Sequence, residues 1–238
     1  MLASSEVSRW IFTKNALERL KDDFSPSASS QEQKFDLWIS SGDALAALLW
    51  GVISRARENA NVARYNTESQ TETLAMAADG RGRAPQGNML GRYFGNFNLL
   101  PSATVSHSDL ISLTSESASR VALEIRNAIN IQLSPEAIAD KISFFEAPQN
   151  TGLISWSADV VMTNWCRFDL QGPKLDFGWG KPFFATAGGG TYPPGYIRLM
   201  QEKSSGDISV MMSVEQEGGD GLKADTMLNK YARLVPDC

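Results

Sequence analysis

The sequence predicts an α+β fold, a mixed β-sheet flanked by helices. Three observations carry that reading. Residues 196–202 and 207–215 are strand-like and flank Ser204-Ser205-Gly206, the pattern of a hairpin. Residues 44–57 and 109–131 repeat apolar side chains at helical spacing. The composition is that of an ordinary globular chain, 238 residues with 42% hydrophobic and 21% charged, which argues against wholesale disorder and for a packed core.

The elements follow in order. Residues 7–13 (VSRWIFT) are rich in β-branched and aromatic side chains and read as a strand. Residues 15–21 read as a short helix, and the polar, Ser-rich residues 22–33 as a surface loop. The helix at 44–57 carries Leu45, Leu48, Leu49, Val52 and Ile53 as its apolar positions. Ser41 or Asp43 is its expected N-cap, because either side-chain oxygen can accept an orphan backbone N–H. Arg55 and Arg57 suit the negative end of its dipole. Residues 74–78 form a strand leading into Asp79-Gly80-Arg81-Gly82-Arg83, and residues 93–97 are a short aromatic segment. Residues 109–131 read as one long helix with Ile111, Val121, Ile125 and Ile129 among its apolar positions. Ser134-Pro135-Glu136 opens another, with a capping Ser, Pro at the first position and an acid in the first turn, running to about Phe145. Residues 159–167 form a strand, and residues 222–234 close the chain as a helix.

Charge and residue counts narrow the chemistry. The net charge is −5, so no general field attracts a polyanion, and nucleic acid is not an expected partner. A local basic patch could still take a small anion. Two cysteines, Cys166 and Cys238, and one histidine, His107, are too few for a Cys/His zinc site. No structural disulfide and no permanently bound cofactor are expected. The first residues lack an apolar signal region, and no apolar run approaches the ~20 residues that span a bilayer. The expectation is a cytoplasmic protein without a membrane partner.

One motif stands above the rest. Asp176-Phe177-Gly178-Trp179-Gly180, followed by Lys181-Pro182, spells DFGWGKP. Its glycine spacing suits a tight loop rather than a strand. Four further landmarks precede it: SSGDALAALLW at residues 40–50, DGRGR at 79–83, GRYFGN at 91–96 and TNWCRF at 163–168. In that order they resemble the C-terminal half of the BAHD acyltransferases, a family of acyl-CoA-dependent enzymes. The spelling is closer to fungal secondary-metabolite members, such as the trichothecene 3-O-acetyltransferase group, than to plant ones.

The resemblance implies the second domain of a two-domain, chloramphenicol-acetyltransferase-like architecture, with residues 1–238 as the C-terminal domain. Residues 170–194 would pack on an N-terminal domain absent from this chain, and would here expose apolar surface. Asp176, Phe177, Gly178, Trp179 and Gly180 would be structural, with Asp176 paired to Arg81 or Arg83. Ser40 and Ser41 would lie near coenzyme A, Thr163 and Trp165 would border the tunnel between domains, and Arg167 would meet coenzyme A phosphates. Read from the residues alone, Ser40 and Ser41 also suit helix capping, Trp165 core packing, and Arg167 a surface ion pair.

The family's H-x-x-x-D motif, whose histidine is the general base, is missing. His107 lies in Ser106-His107-Ser108-Asp109, with the acid two residues on rather than four. It follows a Pro- and Ser-containing turn and reads as a surface residue without a catalytic role. The resemblance implies an O-acyltransferase of secondary metabolism with acyl-CoA as co-substrate and a small hydroxylated acceptor. Three accounts of the missing motif stand open: a truncated gene product, association with a separate N-terminal half, or a non-catalytic remnant that serves as a binding or assembly partner.

Overall fold

The computed structural model describes residues 4–26, 38–62, 71–84, 93–112, 114–146, 157–182 and 192–236. Its main feature is a seven-stranded sheet whose strands are β1 (Ser5–Phe12), β2 (Thr71–Met76), β5 (Ser102–Ser106), β6 (Val160–Asn164), β7 (Tyr196–Gln201), β8 (Ile208–Glu215) and β9 (Ala232–Val235). Their order across the sheet is β5-β2-β6-β7-β8-β1-β9. Strands β2, β6 and β7 run parallel to one another, and the remaining pairings are antiparallel. A two-stranded ribbon, β3 (Ala78–Asp79) with β4 (Asn98–Leu99), stands beside it. The sheet is mixed, as the sequence predicts.

Period-two alternation decides which face of the sheet is covered. In β1, Trp10 and Phe12 are wholly buried, while Arg9 and Ile11 point the other way. In β7, Ile197 and Leu199 are buried between Tyr196, Arg198 and Met200. The buried set packs beneath α1 (Lys14–Phe24), α2 (Ser41–Asn59) and α4 (Ser115–Gln132). Helix α2 is apolar nearly all round because it lies in the middle of this layer, with Trp50, Leu49 and Ile53 fully enclosed. A smaller cluster of Ala84, Leu99, Leu133 and Ile138 ties the ribbon to α5 (Pro135–Glu146).

Several expectations are corrected. The helix expected over 109–131 is two helices, α3 (His107–Ile111) and α4. Ser112 is extended, and the Thr114 hydroxyl accepts from the Ser117 N–H at 3.1 Å, so Ser and Thr side chains end one helix and cap the next. The helix expected over 222–234 is also broken. Asp225 takes an extended conformation and caps α7 (Thr226–Tyr231) through the Leu228 N–H, after the short α6 (Gly219–Ala224). The chain then turns into β9, which pairs with β1. The N-cap of α2 is Ser40, not Ser41 or Asp43. Asp22 to Phe24 belong to α1 rather than to a loop, while 27–33 lies outside the described residues. The strand expected over 159–167 is limited to β6.

Candidate functional site

The start of α2 is a closed hydrogen-bonding unit. The Ser40 hydroxyl accepts from the Asp43 N–H at 3.2 Å, and the Asp43 carboxylate accepts from the Ser40 N–H at 2.6 Å, a capping box. Arg126 on α4 donates from Nε to Asp43 at 2.9 Å and from Nη2 to the Ser40 hydroxyl at 2.8 Å. Its guanidinium lies 4.5 Å from the centre of the Trp38 ring. The capping reading of this segment is therefore satisfied by its own side chains. Sequence reasoning missed Arg126, which sits on the buried-facing side of α4 one residue after Ile125, and only tertiary contact reveals its role.

The second group lies at the end of β6. Trp165 donates its indole N–H to the Thr163 hydroxyl at 3.1 Å, so these two residues are brought together. Arg167 is exposed, and no ion pair joins it to a described residue, so the surface-pair reading is not realised. Trp165 is only half-buried, so it is not core. It forms one wall of a groove of about 350 Å³ on the sheet face that the helices leave uncovered, together with Arg9, Ile11, Phe168, Arg198 and Arg233. Neither Ser40 nor Ser41 lines this groove. Arg198 was not foreseen. Its alternation with buried Ile197 and Leu199 was the available signal.

The DFGWG segment is a loop, as expected from its glycines. Gly178 and Gly180 both have positive φ, 100° and 94°, which side-chain-bearing residues adopt at a cost. The Asp176 carboxylate accepts from the Gly178 N–H at 2.8 Å and the Gly180 N–H at 3.0 Å and so ties the turn to itself. The expected pairing of Asp176 with Arg81 or Arg83 is not formed among the described residues. Arg81 instead pairs with Asp79 at 2.8 Å and donates to the Tyr93 carbonyl and the Gly95 carbonyl. Arg83 is exposed. Phe177 and Trp179 are 77% and 94% exposed, so this loop presents large aromatic side chains to solvent.

His107 is not the surface residue that the sequence suggested. Its Nδ1 lies 2.5 Å from the Glu72 carboxylate and its Nε2 lies 3.3 Å from Glu58. Glu72 is 2% exposed and also accepts from the Trp50 indole N–H and the Ser54 hydroxyl. The histidine thus helps satisfy a buried carboxylate under the sheet edge, a structural task.

Comparison with known proteins places these features in a family. A family model described as the Transferase family matches residues 3–230. The chain belongs to this family. It is the BAHD acyltransferase family that the five landmarks resemble. Among curated BAHD relatives, trichothecene 3-O-acetyltransferase of Fusarium sporotrichioides is 25% identical over 94% of this chain and 47% of its own length. An acyltransferase of Cordyceps militaris is 25% identical over 98% of this chain and 47% of its own. The chain therefore spans about half the length of the curated BAHD relatives it matches. The solved Fusarium sporotrichioides enzyme, complexed with coenzyme A and T-2, shares the fold with a TM-score of 0.75 at 21% identity, covering 98% of this chain and 52% of that one. Vinorine synthase does so with a TM-score of 0.63 at 16% identity, over 93% and 47%. These likenesses bear out the chloramphenicol-acetyltransferase-like α+β fold.

Proposed function

We propose that this chain is the C-terminal half of an acyl-CoA-dependent O-acyltransferase that acylates a hydroxyl of a small secondary metabolite. The family match over residues 3–230 carries this reading. The relative solved with coenzyme A and T-2 supports the donor class and a hydroxylated acceptor. In this reading the end of β6, with Thr163, Trp165 and Arg167, and the start of α2, at Ser40 and Ser41, each contribute to the coenzyme A-facing surface. The DFGWG loop, with Phe177 and Trp179 exposed, leans on a separate N-terminal half. That half supplies the general base, which removes the acceptor proton as the hydroxyl attacks the thioester.

One observation favours a second reading for the chain by itself, that of a binding or assembly partner without turnover. Both ring nitrogens of its single histidine are already engaged, by Glu72 and by Glu58. One experiment addresses both. Purified chain is incubated with acetyl-CoA and a hydroxylated acceptor, alone and with a polypeptide carrying the family's N-terminal half. We expect background thioester loss alone and acceptor acetylation in the mixture. Absence of acetylation in a mixture shown to form a complex would overturn the enzyme reading, and turnover by the chain alone would overturn the partner reading.

A further inference from the structure

We infer that the groove on the uncovered face of the sheet is a binding site for an oxyanion, a phosphate ester or carboxylate carried on a small ligand, with Arg198 as its central donor. The inference concerns binding and does not rest on acyl transfer.

Arg198 is the unusual group. It is 7% exposed, yet no carboxylate pairs with it among the described residues, and its Nε–H is buried without an acceptor. Burying a guanidinium without a counter-charge is costly, and a buried donor without a partner adds to that cost. Two aromatic faces offset part of it: the guanidinium carbon lies 5.5 Å from the Trp165 ring centre and 5.8 Å from that of Tyr192. Tyr192 also accepts a long hydrogen bond from Nη1, at 3.3 Å. Ring faces stabilise the charge but do not use the Nε–H. Arg198 lines the groove, and no carboxylate among the described residues balances its charge there.

The register brings further positive charge to the same face. Arg198 and Arg9 both pair with Met211, from opposite sides, so they lie in one row across β7, β8 and β1, about 10 Å apart at two strand spacings. Arg233 is paired with Ile11, two residues along from Arg9 on the same face. Neither Arg9 nor Arg233 has an ion-pair partner among the described residues. The acids that line the groove lie at its far end. Glu202 is four residues from Arg198, roughly 13 Å along the strand direction, and its carboxylate is engaged by Ser204. Asp207 accepts from the Lys14 N–H. Arg198 and Arg9 therefore lie two same-face rows from these acids and Arg233 in the row between, and Arg198 is preorganised by burial and by two rings. An oxyanion is the group whose geometry a guanidinium fork matches.

The test is titration calorimetry on the full chain with four probes: coenzyme A, 3′-dephospho-coenzyme A, inorganic phosphate and malonate. Arg198→Gln is compared with wild type, and Arg9→Gln/Arg233→Gln, which alters only exposed residues, guards against a folding defect in the first variant. We expect binding of at least one probe, weakened about 10–100-fold in Arg198→Gln, as for loss of a charge-assisted hydrogen bond, and several-fold in the double variant. Tighter binding of coenzyme A than of its dephospho form would identify a phosphate ester as the source, and preference for malonate a carboxylate. Binding of none of the four by wild type would overturn the inference. So would unchanged affinity in Arg198→Gln, or, if that variant misfolds, unchanged affinity in the double variant.

Discussion

Cys166 shows how a residue's surroundings set its chemistry. It follows Trp165 at the end of β6, and its carbonyl accepts from the Lys203 ammonium at 2.7 Å. Burial pushes its thiol up to about 11, and the nearby charge of Lys203 offsets this only in part. A thiol at that value is about one-thousandth thiolate at pH 8, against roughly a quarter for an ordinary cysteine. In a Cys238→Ser background, iodoacetamide should label Cys166 in the folded chain on the order of 100-fold more slowly than in urea at pH 8. The rate should rise about tenfold per pH unit until pH approaches 11. Equal rates in the folded and unfolded chain would show that burial does not govern this thiol. Composition gives no hint of such a shift, because it arises from desolvation by residues distant in sequence. Arg198 was hidden for the same reason. Its place in the strand pattern was legible, but its lack of a carboxylate partner depends on what β1, β8 and the end of β6 bring alongside.

At the scale of elements, the DFGWG loop separates what a motif identifies from what it does. The motif marked the family, and its two positive-φ glycines explain the spacing. The energetic role expected for Asp176 does not follow from the structure. A buried carboxylate–arginine pair would cost ~3–5 kcal/mol to break from one side. Asp176 instead is exposed and accepts two backbone N–H bonds within its own turn. Asp176→Ala should destabilise the isolated chain by no more than about 1 kcal/mol, measured by urea denaturation followed by circular dichroism. A loss above about 3 kcal/mol would mean that Asp176 holds a buried pair after all. Element boundaries were legible where one strong signal acted alone, as at Pro135 or in the β7–β8 hairpin. They were lost where local capping competed with an apolar pattern. Thr114 and Asp225 each interrupt a stretch whose hydrophobic residues continue on both sides, and a periodicity count does not register a cap.

At the scale of the whole molecule, the sheet and the helix layer are joined by more than apolar packing. Arg57, near the end of α2 and 1% exposed, donates from Nε to Glu215 at the end of β8 at 2.9 Å, and from Nη1 to the Asp159 carbonyl just before β6 at 2.9 Å. The sequence suggested only a dipole-compensating cation at this position. Gly195 completes the junction. Its φ is 84°, its N–H donates to Ser213, and its carbonyl accepts from Val161, linking β7 to β8 and to β6. A Cβ there would lie 2.4 Å from the Asp159 carbonyl oxygen and 2.8 Å from Arg57 Nη2. Arg57→Ala leaves Glu215 without this partner and should cost ~3–5 kcal/mol. Gly195→Ala adds a disfavoured backbone conformation to a clash with backbone and should cost at least ~2 kcal/mol. Because both changes disturb one contact between Arg57 and Asp159, the double variant should lose less than the sum of the two. Guanidinium denaturation of the four proteins measures this directly. Strictly additive losses would show that the helix layer and the β6–β7 junction are held independently, and that Arg57 is not the clasp between them.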